Sequence, residues 1–177
     1  MVLHGSRFYS LDVETANTDA GSICQIGIGL FENGELTGTW KSYIDPEDYF
    51  SHFNIRVHGI EPEMVRTSPK FYEVYPFLRK TFQHSIVIHH MPFDRVAFDR
   101  AYKKYRLEPF PVQWVDSARV ARQTWKQFSK SGYGLHNLAQ FLDIRFKHHD
   151  ALEDSVTAGR IVVEACREKG VGVEGWI

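Results

Sequence analysis

A chain of 177 residues, 43% hydrophobic and 24% charged, has the size and composition of one globular domain with a sizeable core. The net charge of −1 excludes a global polybasic surface, so any contact with a polyanion must come from a local patch or through metal ions. No apolar run approaches the roughly eighteen residues of a membrane span, and the start lacks the basic and then apolar pattern of a secretory signal; no membrane partner and a cytoplasmic location are expected.

The first strand runs from Phe8 to Thr15. Period-two alternation sends Tyr9, Leu11 and Val13 to one face and Ser10, Asp12 and Glu14 to the other. Two carboxylates so close repel each other and lose hydration if buried, so the pair indicates either a bound divalent cation or a solvated acidic edge. A polar loop, Ala16 to Gly21, leads to an apolar strand, Ser22 to Phe31, whose glycines allow close packing. Asn33-Gly34 is a hairpin signal, and Leu36 to Ile44 returns as a third strand. Asp45 to Pro69 reads as irregular, punctuated by Pro46, Pro62 and Pro69.

Helical spacing returns over Phe71 to Phe82, followed by a buried strand, Ser85 to His90. Pro92 suits the first turn of a helix reaching Tyr105, in which Phe93 reads as core. Val112 to Val115 is a short strand, with Asp116-Ser117 capping a helix from Ala118 to Phe128. Leu135 to Leu142 and Asp150 to Lys169 are the last helices, and 170–177 reads as a frayed tail or the start of a linker. Cys24 and Cys166 lie in apolar runs and read as small buried hydrophobes, not as a disulfide or zinc pair. A meander followed by alternating strands and helices predicts an α/β fold, a mixed five-stranded sheet flanked by helices, in a single domain over 1–177 with its core at about 7–168.

Two further acidic stretches accompany the first strand. Asp94 falls in the first turn of a helix, where the dipole favours a carboxylate, and Asp99 one turn on reads as solvated. In the last helix Asp154 shares a row with Ala158, Val162 and Ala165, whereas Glu153 lies in a polar row. His149 stands five residues before Asp154. The cations Lys103, Lys104, Arg106, Arg119, Arg122, Lys126 and Lys130 give the middle of the chain a basic bias that solvated helix faces explain equally well.

Asp12-Val13-Glu14, the stretch His89 to Asp94 and the His-x4-Asp of His149 to Asp154 resemble the three motifs of the DEDDh exonucleases, with particular likeness to the epsilon-type (DnaQ-like) proofreading branch of bacterial DNA polymerase III. Val57-His58-Gly59-Ile60 and Gly134 to Leu138 resemble further segments of that branch. The resemblance implies a ribonuclease H-like fold and 3′→5′ exonuclease activity that releases nucleoside 5′-monophosphates from single-stranded or frayed DNA ends. It implies that Asp12, Glu14, Asp94 and Asp154 hold two Mg2+ or Mn2+ ions, that His149 is the general base, and that DNA and a DNA polymerase subunit are partners. Thr15, His58 and His90 are the implied substrate contacts, although the family usually carries asparagine where His90 stands and often Thr-Gly where this chain has Ala16-Asn17. The neighbour His148 lacks the five-residue spacing and is expected to tolerate replacement. Two rival readings accompany this one: an exoribonuclease of the oligoribonuclease or RNase T kind, and a nucleic-acid-binding module without catalysis.

Overall fold

The computed structural model describes residues 2–177. Its centre is the acidic strand, β1 (Arg7–Thr15), which pairs antiparallel with β2 (Ile23–Glu32) on one side and parallel with β4 (Ile86–His89) on the other. The strand β3 (Glu35–Tyr43) closes the first edge antiparallel to β2, and β5 (Gln113–Asp116) the second edge parallel to β4. The order is β3-β2-β1-β4-β5, the mixed five-stranded sheet the pattern predicts. The β2–β3 hairpin turns at Asn33-Gly34, both at positive φ, as the twist of the paired strands requires.

The alternation in β1 divides the core in two. Leu11 and Val13 pack with α3 (Phe71–Phe82) and α4 (Phe93–Tyr105), where Phe71, Phe98 and Tyr102 meet edge to face. Phe8 faces the other layer, built on α5 (Ser117–Thr124), α6 (Leu135–Phe141) and the long α7 (Ala151–Lys169). Because side chains alternate along β1, the face that meets α7 also carries Ser10, Asp12 and Glu14.

Four expectations need correction. The segment 45–69 is not irregular throughout: α1 (His52–His58) and α2 (Pro62–Val65) form within it. Ser51 caps α1 through its side chain, and Gly59 ends it in the left-handed conformation. The helix predicted to reach Phe128 ends at Thr124, and 126–129 is a 3₁₀ turn. Phe93 is 48% exposed, because it shares the outer row of α4 with exposed Val96 and Arg100, while Asp94, Ala97 and Phe98 face inward. The final residues do not fray: Val173–Trp176 form a 3₁₀ turn, Trp176 Nε1 donates to Cys166 Sγ at 3.2 Å, and Arg119 donates to the Trp176 carbonyl at 2.6 Å. Both cysteines are buried and free.

Candidate active site

The register of β1 with β2 sets where the acidic face meets α7. Asp12 stands opposite Gly27 and Glu14 opposite Gln25, so these four side-chain positions share one face. Gly27 has no Cβ, and one built there would lie 2.2 Å from the carbonyl carbon of Ala151; the missing side chain is what lets α7 enter directly over Asp12. Gln25 Oε1 accepts the Ala151 N–H at 2.9 Å, and Asp150 accepts from Leu152 N at 3.1 Å. Lys41 on β3 in turn holds Asp150 at 2.9 Å. Backbone donors that the helix itself leaves unpaired are thereby satisfied.

With that entry fixed, Asp154 comes to within 4.8 Å of both Asp12 and Glu14, measured between ligating oxygens. Asp94 arrives from the other layer: its Oδ1 accepts the Val13 N–H at 3.1 Å, a bond spanning two motifs. Asp94 and Asp154 are nearly sealed from solvent, at 2% and 4% exposure.

The electrostatics record the crowding. Burial first, then the neighbouring carboxylates, raises Asp12 well above the ordinary carboxylate range. The same causes push Glu14 up to about 8. Burial raises Asp94 also, opposed by backbone donors including Val13 N–H. Burial raises Asp154, with His148 and His149 pulling it down. Ionising such a set costs desolvation and mutual repulsion, both relieved by a cation. The donors are all hard oxygens, and they fit a divalent cation of that class.

His149 stands beside this group. Its backbone N–H donates to Asp154 Oδ2 at 3.0 Å, and its φ of +65° places it in the left-handed region, which a non-glycine residue rarely occupies. The ring is exposed and stacks on His148 at 3.9 Å. His148 Nδ1 lies 3.1 Å from each oxygen of Asp154. The spacing argument passed over that contact because it looked only at the residue five positions before the aspartate.

The three softer positions differ in placement. Thr15 is buried, and its carbonyl accepts from Asn54 Nδ2 at 2.8 Å and pairs with His58 Nε2 at 3.1 Å. His58 Nδ1 accepts from Ile60 N at 2.9 Å, so Nε2 carries the proton and both ring nitrogens are engaged. The imidazole face is what remains for a ligand. His90 is turned elsewhere: its Nδ1 lies 2.8 Å from Ser117 Oγ, and its Nε2 is buried without a partner. Several mid-chain cations have structural partners: Lys104 pairs with Asp48, Arg119 bonds the Trp176 carbonyl, and Arg122 lies over the Tyr133 ring.

Gln25, Lys41 and Asn54 escaped the sequence reading. Gln25 carried a signal, a lone amide in an otherwise apolar strand. Lys41 and Asn54 had none, since their partners lie 109 and 39 residues away.

A family model described as "Exonuclease" matches residues 10–162. A "DNA polymerase III PolC-type" of Pediococcus pentosaceus is 28% identical over 163 residues, which is 90% of this chain and 11% of that protein. A "3'-5' exonuclease DinG" of Staphylococcus haemolyticus is 26% identical over 159 residues, 88% of this chain and 17% of that protein. The chain therefore spans a small fraction of these relatives, 11% and 17% of their lengths. Among solved structures, "Exonuclease X in complex with 5' overhanging duplex DNA" superposes with a TM-score of 0.77 at 20% identity, covering 96% of each chain. No described helix is long and apolar enough to cross a membrane.

Proposed function

The chain belongs to the exonuclease family, and on that footing we propose that it removes nucleotides from the 3′ end of single-stranded or frayed DNA, releasing nucleoside 5′-monophosphates. The observation that carries the reading is the convergence of Asp12, Glu14 and Asp154 within 4.8 Å, with buried Asp94 bonded to the same strand. A family fold by itself would not identify a chemistry. Four crowded carboxylates whose affinity for protons is raised support one, because either protons or bound cations must relieve their repulsion.

Asp12, Glu14, Asp94 and Asp154 would hold two divalent cations, Mg2+ or Mn2+. When bound, such ions stabilise the charge that develops on the attacking and leaving oxygens of a phosphodiester. His149 takes the proton from the attacking water. Its exposed ring lies outside the carboxylate group, and its neutral form is favoured because burial and His148 lower its proton affinity. The bond formed joins water oxygen to phosphorus. The bond broken is that between phosphorus and the 3′ oxygen of the preceding nucleotide, which leaves as the new 3′ end. Thr15, its carbonyl braced by Asn54 and His58, follows the paired carboxylates and would meet the terminal nucleotide. The relatives named DNA polymerase III and DinG favour DNA as substrate and a replication or repair setting, with a polymerase subunit or a longer chain as the partner.

Matched 3′-labelled and 5′-labelled DNA and RNA oligonucleotides, incubated with Mg2+, Mn2+ or EDTA, test this. The expected result is stepwise shortening from the 3′ end of DNA that EDTA abolishes. Rapid cutting of circular single-stranded DNA would overturn exonuclease action, and shortening of RNA alone would transfer the activity to the other sugar.

A further inference from the structure

Beside the all-oxygen set, a second group of metal-type donors gathers among the described residues: His148, His149 and Asp154, with ligating atoms within 4.8 Å of one another. We infer that these three form a second, inhibitory metal site, overlapping the carboxylate set at Asp154, for a borderline divalent cation of the zinc type. The predicted inhibition rests on the hydrolytic reading above; the binding does not.

Donor chemistry separates the two sites. Mg2+ prefers oxygen ligands and retains its waters, whereas Zn2+ accepts two imidazoles and a carboxylate readily. The distances fit the second case. Two donors at about 2.0–2.2 Å from a tetrahedral zinc ion are themselves separated by roughly 3.4 Å. His148 Nδ1 already stands 3.1 Å from each Asp154 oxygen, and an ion enters between them once the His149 N–H, which points at His148 Nδ1 and Asp154 Oδ2, is displaced. The rings of His148 and His149 are stacked at 3.9 Å with 13° between planes, so in this arrangement they face each other and do not converge on one point. A rotation of the His149 side chain corrects that, and its exposure leaves it free to rotate. His148 is flanked by Phe146 at 5.4 Å and His136 at 6.4 Å, while its own side chain is 40% exposed, so a cation reaches it from solvent.

The consequence follows from the shared ligands. A zinc ion here occupies the His149 lone pair that would receive the proton from water. It also engages Asp154, which belongs to the carboxylate set. Hydrolysis stops although Asp12, Glu14 and Asp94 are untouched. His148 is the ligand that belongs to this site alone.

Calorimetry with Zn2+ on the purified chain, at saturating Mg2+, measures the site directly. Co2+ serves as a second probe whose visible absorption is strong in a tetrahedral site and weak at an octahedral oxygen site. Zn2+ is expected to bind above the Mg2+ background and to inhibit Mg2+-supported cleavage. His148→Ala and His148→Gln, checked for fold by circular dichroism, are expected to weaken Zn2+ binding and inhibition about tenfold or more, the scale on which losing a metal-site group acts. Inhibition in each variant is scored against that variant's own Mg2+-supported rate, since His148 also touches Asp154. Unchanged Zn2+ affinity and inhibition in both variants would overturn the proposal, since zinc would then act at the carboxylates. If His148→Ala lowers Zn2+ binding in a chain that cuts no oligonucleotide, the site stands and the hydrolytic reading falls.

Discussion

The backbone of Ala151 lies so close to Gly27 that a Cβ on the glycine would stand 2.2 Å from it, well inside contact distance. That approach fixes where α7 begins and hence where His149 and Asp154 stand relative to Asp12. Gly27→Ala is expected to destabilise the fold by about 1–3 kcal/mol, the usual cost of forcing extra volume into a packed interface. It should also lower activity beyond what the lost stability explains, because the obstacle lies under the site. Urea unfolding alongside kcat at a temperature where the variant is fully folded checks both; wild-type activity in the variant would refute the positional role.

Removing a carboxylate should abolish hydrolysis and spare the fold. Asp12→Ala and Asp154→Ala each delete one member of a crowded, buried acidic group, so the remaining members lose a repulsive neighbour. Thermal unfolding of the metal-free variants is expected at or above the wild-type temperature, with cleavage in Mg2+ at background. Undiminished cleavage by Asp154→Ala contradicts the assignment.

The metal-free protein should lose stability as pH rises. Glu14 holds its proton up to about 8 when folded, against an ordinary value near 4.5 in the unfolded chain. Between those values the folded state binds more protons than the unfolded state, so stability is greatest at the acid end of the window and declines towards pH 8. A divalent cation should reverse the trend, adding more stability at pH 8 than at pH 6, because it binds the ionised form. Glu14→Gln should make the metal-free profile shallower, the remaining slope coming from Asp12, Asp94 and Asp154. Below about 6.5 the buried histidines act in the opposite sense, so a stability of metal-free wild type that rises from pH 6.5 to 8 would exclude this account.

His149→Ala is expected to lower kcat by roughly 10²–10⁴-fold, the range of a general-base contribution. The wild-type rate should climb with pH to a plateau, with a midpoint below the ordinary histidine value, because burial and then His148 favour the neutral ring. The pH profile of the variant should lose that limb. If the limb persists in His149→Ala, the proton goes elsewhere.

His58→Ala should act on substrate binding more than on chemistry. The imidazole donates to the Thr15 carbonyl and accepts from Ile60 N, tying the end of α1 to the end of β1. Losing these bonds costs about 1 kcal/mol in stability. KM is expected to rise several-fold while kcat changes less, and the reverse split would move His58 into the chemical step.

The strands and the acidic stretches were legible because their signals are local. Alternation in β1, the Asn-Gly turn and the apolar row through Asp154 each need only a few neighbours to read. What escaped depends on distant partners or on end effects. The helix α1 buries none of its residues completely, so it shows no apolar periodicity, and the surrounding prolines hid the Ser51 and Gly59 caps. Phe93 has the composition of a core residue, but it lies on the outer row of α4 with Val96 and Arg100. Trp176 lies among glycines that suggest a loose tail, yet Cys166 and Arg119 give its indole and carbonyl partners that no short window contains. His148 was set aside on spacing, and only the folded turn brings its nitrogen to Asp154.

The excursion between β3 and α3 contributes no strand to the sheet, and its apolar residues form a small cluster of their own: Ile60 and Val65 with Ala16 and Cys24, flanked by Tyr43 and Phe50. It meets the end of the acidic strand and the loop after it at three successive residues: Asn54 Nδ2 and His58 Nε2 bond the Thr15 carbonyl, Ser51 N donates to the Ala16 carbonyl at 2.8 Å, and Asn17 Nδ2 donates to the Tyr49 carbonyl at 2.8 Å. The excursion is therefore stitched to the chain at the point where it leaves β1. A loop put in its place would have to supply donors to two adjacent carbonyls and an acceptor to Asn17, while the four carboxylates belong to β1, α4 and α7, outside it.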